Sequence, residues 1–170
     1  MVAVERELLA LPNATCLRFA TIYGVAERMR FDLTVNEFTR DMWAGRTLEV
    51  YGEQFWRPYV HVADAARAVA LILATPLDQV AGRVFNVGHS DENYRKLDLV
   101  ELLRERLPEA DVRFVHRDED PRDYRVSFAR IKDELGFDPV MRVPDGMDEI
   151  MRGLDEHRFG DPYDRRFSNI

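Results

Sequence analysis

The sequence predicts an α/β fold with some parallel strand pairing, on three observations. Short apolar runs alternate with stretches of helical period along the chain. Glycine or proline marks many of the changes between them. At 170 residues and 46% apolar, the chain is long enough to bury one core. It shows no internal repeat, no low-complexity segment and no linker between domains.

The elements follow in order. Residues 2–11 carry Val4, Leu8 and Leu11 at helical spacing, and Pro12-Asn13 stops them. Residues 14–20 are apolar apart from Thr15 and Arg18, the profile of a buried strand, and they contain the single cysteine, Cys16. Residues 21–32 read as a loop around Gly24. A helix over 33–44 puts Val35, Phe38 and Met42 on one face, and Gly45 closes it. Residues 48–51 make a short strand that Gly52 turns. In the stretch 54–64, Val60 and Val62 are inward strand positions and Asp64 caps a following helix over 64–74. The apolar stripe of that helix is Val62, Ala66, Val69 and Leu73.

A strand over 83–88 ends in Gly88. A helix over 98–107 opens on Asp98 with Glu101 three residues later, a capping-box arrangement. Residues 112–115 form a strand. A short helix over 128–135 is capped by Ser127 and ended by Gly136. The last helix, 144–154, begins at Pro144 and carries Met147, Ile150, Met151 and Leu154 at helical spacing. Residues 157–170 have no period and read as a loose tail.

Composition narrows the function class. A net charge of −7 argues against a nucleic acid or a membrane surface as partner, although a few arginines can still dominate a cleft for a small anion. One cysteine cannot make an internal disulfide, and no apolar run approaches the roughly 20 residues that span a bilayer. The N-terminus lacks signal-peptide architecture. A soluble, cytoplasmic protein is the expectation.

The motif Arg57-x-x-x-His61-Val62-x-Asp64 resembles a signature of the extended short-chain dehydrogenase/reductase family, the NAD-dependent sugar-nucleotide epimerases and dehydratases. Four further pieces are similar to that family in the same order: Leu17 to Gly24, Leu48 to Gly52, Val84 to Gly88 and Glu134 to Phe137. Two signatures of the family have no match here. The phosphate-binding glycine loop would hold a pyrophosphate on free N–H groups at a helix N-terminus. The Tyr-x-x-x-Lys pair would supply the acid/base, and none of the six tyrosines has a lysine four residues on.

The resemblance therefore implies the C-terminal, substrate-binding part of an extended Rossmann-type reductase, with the last strands of its parallel sheet. Residues 1–156 form that portion, 1–24 being a remnant of the Rossmann half, and 157–170 form the tail. The complete enzyme would use NAD or NADP on a nucleotide-diphosphate sugar, whereas this chain alone is expected to bind no cofactor and to be inactive. Its expected partner is a complementing N-terminal half or a second copy. The alternative is a non-catalytic nucleotide-sugar-binding or interaction module derived from the family.

For substrate contacts, the resemblance points to Arg57, whose planar fork of donors suits phosphate oxygens. A surface arginine paired with a carboxylate is the alternative. Arg117 and Arg122 lie where the family has a second phosphate-contacting arginine, in an acid-rich run that could equally be a solvated salt-bridge cluster. Thr21 stands where the family has asparagine near the substrate. Asn36 is a candidate to face the substrate from its helix, against an exposed polar position. Tyr51 is a candidate for a nucleobase slot, against a place in the core. His61 is structural in the family, and the four histidines show no metal-ligand spacing. No Gly-x-Ser-x-Gly supports a serine hydrolase.

Overall fold

The structure, a computed structural model, describes residues 2–119 and 123–169. Helix α1 (Val2–Leu9) leads into strand β1 (Thr15–Phe19), which pairs in parallel with β5 (Arg83–Val87). Strand β2 (Thr21–Tyr23) pairs in parallel with β4 (Trp56–His61), and β6 (Asn93–Arg95) runs antiparallel on the other edge of β4. Strand β3 (Leu48–Tyr51) pairs in parallel with β7 (Val112–Val115). The remaining helices are α2 (Thr34–Trp43), α3 (Val62–Ala74), α4 (Leu77–Val80), α5 (Lys96–Arg104), α6 (Ala129–Leu135) and α7 (Val143–Asp155). The expected α/β class with parallel pairing is what the chain forms.

The largest apolar cluster lies where α2 packs on α7 and α5. Val35, Phe38 and Met42 of α2 meet Leu99 and Leu103 of α5 and Met147 and Ile150 of α7, all buried. Each such side chain contributes about 1.5–3 kcal/mol. A second cluster joins Ala68 of α3 and Ile131 of α6 to Phe85 and Val87 of β5.

Several sequence expectations need correction. The strand over 14–20 breaks at Ala20, whose N–H still donates to the Val87 carbonyl at 3.0 Å. The chain then changes sheet, so residues 21–23 are strand β2 and not loop. Val62 is the first residue of α3, and the cap is His61, whose Nδ1 accepts from the Ala63 N–H at 3.2 Å. Asp64 instead lies buried in the first turn. It accepts from the Val140 and Met141 N–H groups at 3.1 and 2.8 Å and pairs with Arg67. The stripe expected to be buried on α3 faces outward, with Val69 40% and Leu73 81% exposed, while Ala65 and Ala68 face inward. Helix α5 starts at Lys96, and Asp98 closes its capping box from the third position, accepting from the Arg95 N–H at 2.7 Å.

The stretch 157–169 is no loose tail. Phe159 and Phe167 are buried and stand edge-on to Phe31, with ring centres 5.3 and 5.6 Å away, contacts worth about 0.5–1.5 kcal/mol each. Tyr163 lies between the guanidinium carbons of Arg40 at 4.3 Å and Arg46 at 3.5 Å, and its hydroxyl donates to Asp41. Asp32 adds a tie, accepting two bonds of 2.6 Å from Arg30 and one of 3.2 Å from the Asn169 N–H.

Those donors, the Arg30 guanidinium first, hold the Asp32 carboxyl down at about 2, below its ordinary 3.8. Its contribution is therefore present above about pH 4 and is lost as the pH falls towards 2. Asp32→Asn is expected to melt below the parent protein at pH 7, and the two melting curves should converge near pH 2. A gap that stays constant over that range would contradict the assignment.

Candidate functional site

Strand β4 sets the site. Alternation along it sends Arg57 and Tyr59 to one face and Trp56, Pro58 and Val60 to the other. Arg57 is 8% exposed, and its Nη1 donates to the Trp56 carbonyl at 2.8 Å, so the guanidinium is fixed before any ligand arrives. Tyr59 lies beside Thr34, at the first turn of α2, and beside Arg57. Leu33, the residue before helix α2, offers that helix no side-chain cap. The first-turn N–H groups of α2 and Arg57 thus form a neighbourhood that favours an anion.

Thr21 is half-buried on β2, directly across from Tyr59 in the pairing register. Arg117 stacks its guanidinium 4.7 Å from the centre of the Tyr51 ring. The Arg117 carbonyl accepts from Gln54 Nε2 at 2.7 Å, which ties the segment after β7 to the approach to β4. Tyr51 is 39% exposed on the edge of β3 and donates its hydroxyl to Glu49 at 2.8 Å. It is therefore not a core residue. Asn36, by contrast, is buried within the protein: its Oδ1 accepts from the Gly24 N–H at 3.0 Å and its Nδ2 donates to the Arg30 carbonyl at 2.8 Å. Its amide clamps the loop after β2. Arg122 lies outside the described residues.

Two groups escaped the sequence reading. Arg125 stacks 4.9 Å from the Trp56 ring centre, and Arg95, held by Asp98, lies 5.6 Å from it. Asp123 accepts from the Trp56 N–H at 2.8 Å, laying residues 123–126 along the sheet edge. The signal available was a further arginine just beyond the Arg-Asp-Tyr run. Glu149 is the other: its Oε2 lies 2.9 Å from His61 Nε2 and accepts from the Val25 N–H at 3.2 Å. Since His61 Nδ1 is an acceptor, Nε2 carries the proton. The imidazole joins β4, α7 and the loop after β2, a structural role as expected.

Tyr23, Tyr51, Tyr59 and Tyr94 are not tuned for acid/base work. Burial, with Glu92 next, pushes Tyr23 and Tyr94 far up, and burial does the same to Tyr59. The Glu49 carboxylate raises Tyr51. A catalytic phenol needs the opposite shift. The described residues contain no group of three His, Cys, Asp or Glu side chains able to hold a metal.

The dinucleotide glycine loop has no counterpart among the described residues. The N-termini of α3, α5 and α7 are taken by His61, Asp98 and Asp145, and the uncapped start of α2 has no glycine to let a pyrophosphate close on the backbone.

A groove of about 950 Å³ runs beside β1, lined by Val4, Leu8, Cys16, Phe19, Pro58 and Tyr124. Among the described residues β1 pairs only with β5, so its other edge is open. No helix is long and apolar enough to cross a membrane among the described residues.

The profile of the NAD dependent epimerase/dehydratase family matches residues 10–88. The chain is 31% identical over 125 residues to a dTDP-glucose 4,6-dehydratase of Streptomyces niveus, covering 71% of this chain and 36% of that protein. Among solved structures, it is similar to DesIV, the dTDP-glucose 4,6-dehydratase of Streptomyces venezuelae with NAD and TYD bound. The TM-score is 0.75 at 25% identity, over 92% of this chain and 48% of that one. RMD of Pseudomonas aeruginosa complexed with NADPH shares the fold, with a TM-score of 0.76 at 21% identity over 92% of this chain and 55% of that one. The chain spans about a third of the curated relative's length and about half of the solved ones. With its parallel strand pairs and the ordered motifs around Arg57 to Asp64, the chain belongs to the NAD-dependent epimerase/dehydratase family of extended short-chain dehydrogenase/reductases.

Proposed function

We propose that this chain supplies the substrate side of an NAD(P)-dependent sugar-nucleotide epimerase or dehydratase. On this reading it binds the diphosphate of a nucleotide sugar, while cofactor and acid/base residues come from a complementing half. The observation that carries it is Arg57, a guanidinium fixed inside β4 beside the uncapped start of α2. Arg117 or Arg122 would add the second phosphate contact, Tyr51 the wall of a nucleobase slot, and Thr21 a polar group near the sugar. Asn36 would act one step back, by holding the loop after β2 in place.

The groove beside β1 supports a docking half. Val4, Leu8 and Phe19 are 60%, 43% and 38% exposed there, an apolar patch that a solvated protein tends to cover. A second copy of the chain is the other occupant that could cover it. A reducing cytoplasm suits the single thiol, Cys16.

Co-production with the N-terminal portion of a family member, carrying its glycine loop and Tyr-x-x-x-Lys, tests the reading. NAD-dependent turnover of a nucleotide sugar is expected from the pair and from neither part alone. Turnover by the 170-residue chain alone would overturn it. Nucleotide-sugar binding with no turnover from any pairing would favour the non-catalytic module.

A further inference from the structure

We propose that a second cavity, of about 520 Å³, binds a small phosphorylated molecule with a flat apolar body. Its rim carries Arg28 from the loop after β2, Arg158 from the turn after α7, and Arg166 from the 3-10 turn Arg165–Phe167. Phe159 and Phe167 form its floor. None of these residues belongs to the neighbourhood of Arg57.

Charge is the first argument. The chain as a whole is acidic, at −7, yet three guanidiniums from three separate segments converge here. They are weakly compensated. Arg28 donates to the neutral amide of Asn169 at 2.8 Å, and Arg166 donates to the Phe159 carbonyl at 2.8 Å, with Asp164 no nearer than 3.8 Å. The Arg158 guanidinium makes neither a hydrogen bond nor an ion pair among the described residues, the backbone N–H of that residue donating to the Gly153 carbonyl at 3.0 Å. Glu27 lines the same cavity but pairs with none of the three. One carboxylate would satisfy one guanidinium fork, whereas a phosphate dianion offers three oxygens to three forks.

The second argument is shape. The volume falls in the range of small-ligand sites, and the floor is two aromatic rings packed at right angles beneath the charged rim. A phosphate on the rim leaves an apolar group to touch the exposed edges of Phe159 and Phe167, beside the Arg166 guanidinium that stacks 4.6 Å from the Phe167 ring centre. The same occupant would bridge Arg28 to Arg158 and Arg166, and so lock the stretch 157–169 onto the loop after β2.

Phenyl phosphate is the probe, titrated calorimetrically into the full 170-residue chain beside inorganic phosphate and benzoate. Phenyl phosphate is expected to bind at least tenfold more tightly than either. Arg28→Ala and Arg158→Ala should each weaken it about tenfold, since each removes one charged donor set. Arg158→Lys, which keeps charge and fold, should give an intermediate value. Arg57→Ala should leave it unchanged, so this site and the nucleotide-sugar reading fail separately. Phenyl phosphate no tighter than benzoate, or binding lost with Arg57→Ala and kept in both other alanine variants, would overturn the proposal.

Discussion

Arg57→Ala is expected to lower nucleotide-sugar affinity more than a hundredfold while leaving the fold intact. A guanidinium facing a diphosphate makes two charge-assisted bonds, and each is worth about 1.5–3 kcal/mol, so losing both costs about 3 kcal/mol or more. Arg57 is also fixed in advance by the Trp56 carbonyl, so little conformational freedom remains to be lost on binding. Arg57→Lys keeps the charge and loses the planar fork, and an intermediate affinity is expected. Calorimetry with the parent and both variants checks this series. Equal affinity in all three would remove Arg57 from the site.

Gly146→Ala is expected to destabilise the protein by about 2 kcal/mol or more, against the usual sign. On an open helix surface the change would stabilise by about 1 kcal/mol, because alanine is the better helix former. At this position on α7 a new Cβ would lie 2.3 Å from Tyr23 Cε2 and 3.3 Å from His61 Cδ2. Both rings are buried and packed edge-on, with centres 5.3 Å apart, so neither can swing away. Overpacking of this kind costs about 1–3 kcal/mol and occasionally more, beyond the helix-propensity gain. Displacing Tyr23 would also shift β2 against β4, the pair that carries Thr21 and Arg57. The urea midpoint should fall in the variant. A midpoint that rises would contradict the packing described for α7.

The sequence made the regular elements legible where period and punctuation agreed. Gly45 and Gly136 end their helices at positive φ, as their positions just past an apolar period indicate. The face of α2 was legible because Val35, Phe38 and Met42 alternate with charged residues. The face of α3 was not, since that helix is apolar nearly all round and the period cannot choose between Ala65–Ala68 and Val69–Leu73. Strand β6 is three residues long and polar, too short to show alternation, and its pairing with β4 is a long-range fact.

The site followed the same division. Arg57 was found through a motif whose spacing is local. The burial of Asn36 was not, because it depends on Gly24 and Arg30 folding back onto α2. Asp64 was read as a cap because it sits near a helix start, yet its acceptors turn to Val140 and Met141, more than seventy residues away in sequence. The packing of 157–169 rests on Phe159 and Phe167 meeting Phe31, three rings that share no period.

The most direct measurement is calorimetry of the unmodified chain with UDP-, GDP-, CDP- and dTDP-sugars and, separately, with NAD. The account predicts saturable binding of at least one nucleotide sugar with no NAD present, and no binding of NAD itself. Tight NAD binding without any nucleotide-sugar binding would contradict it.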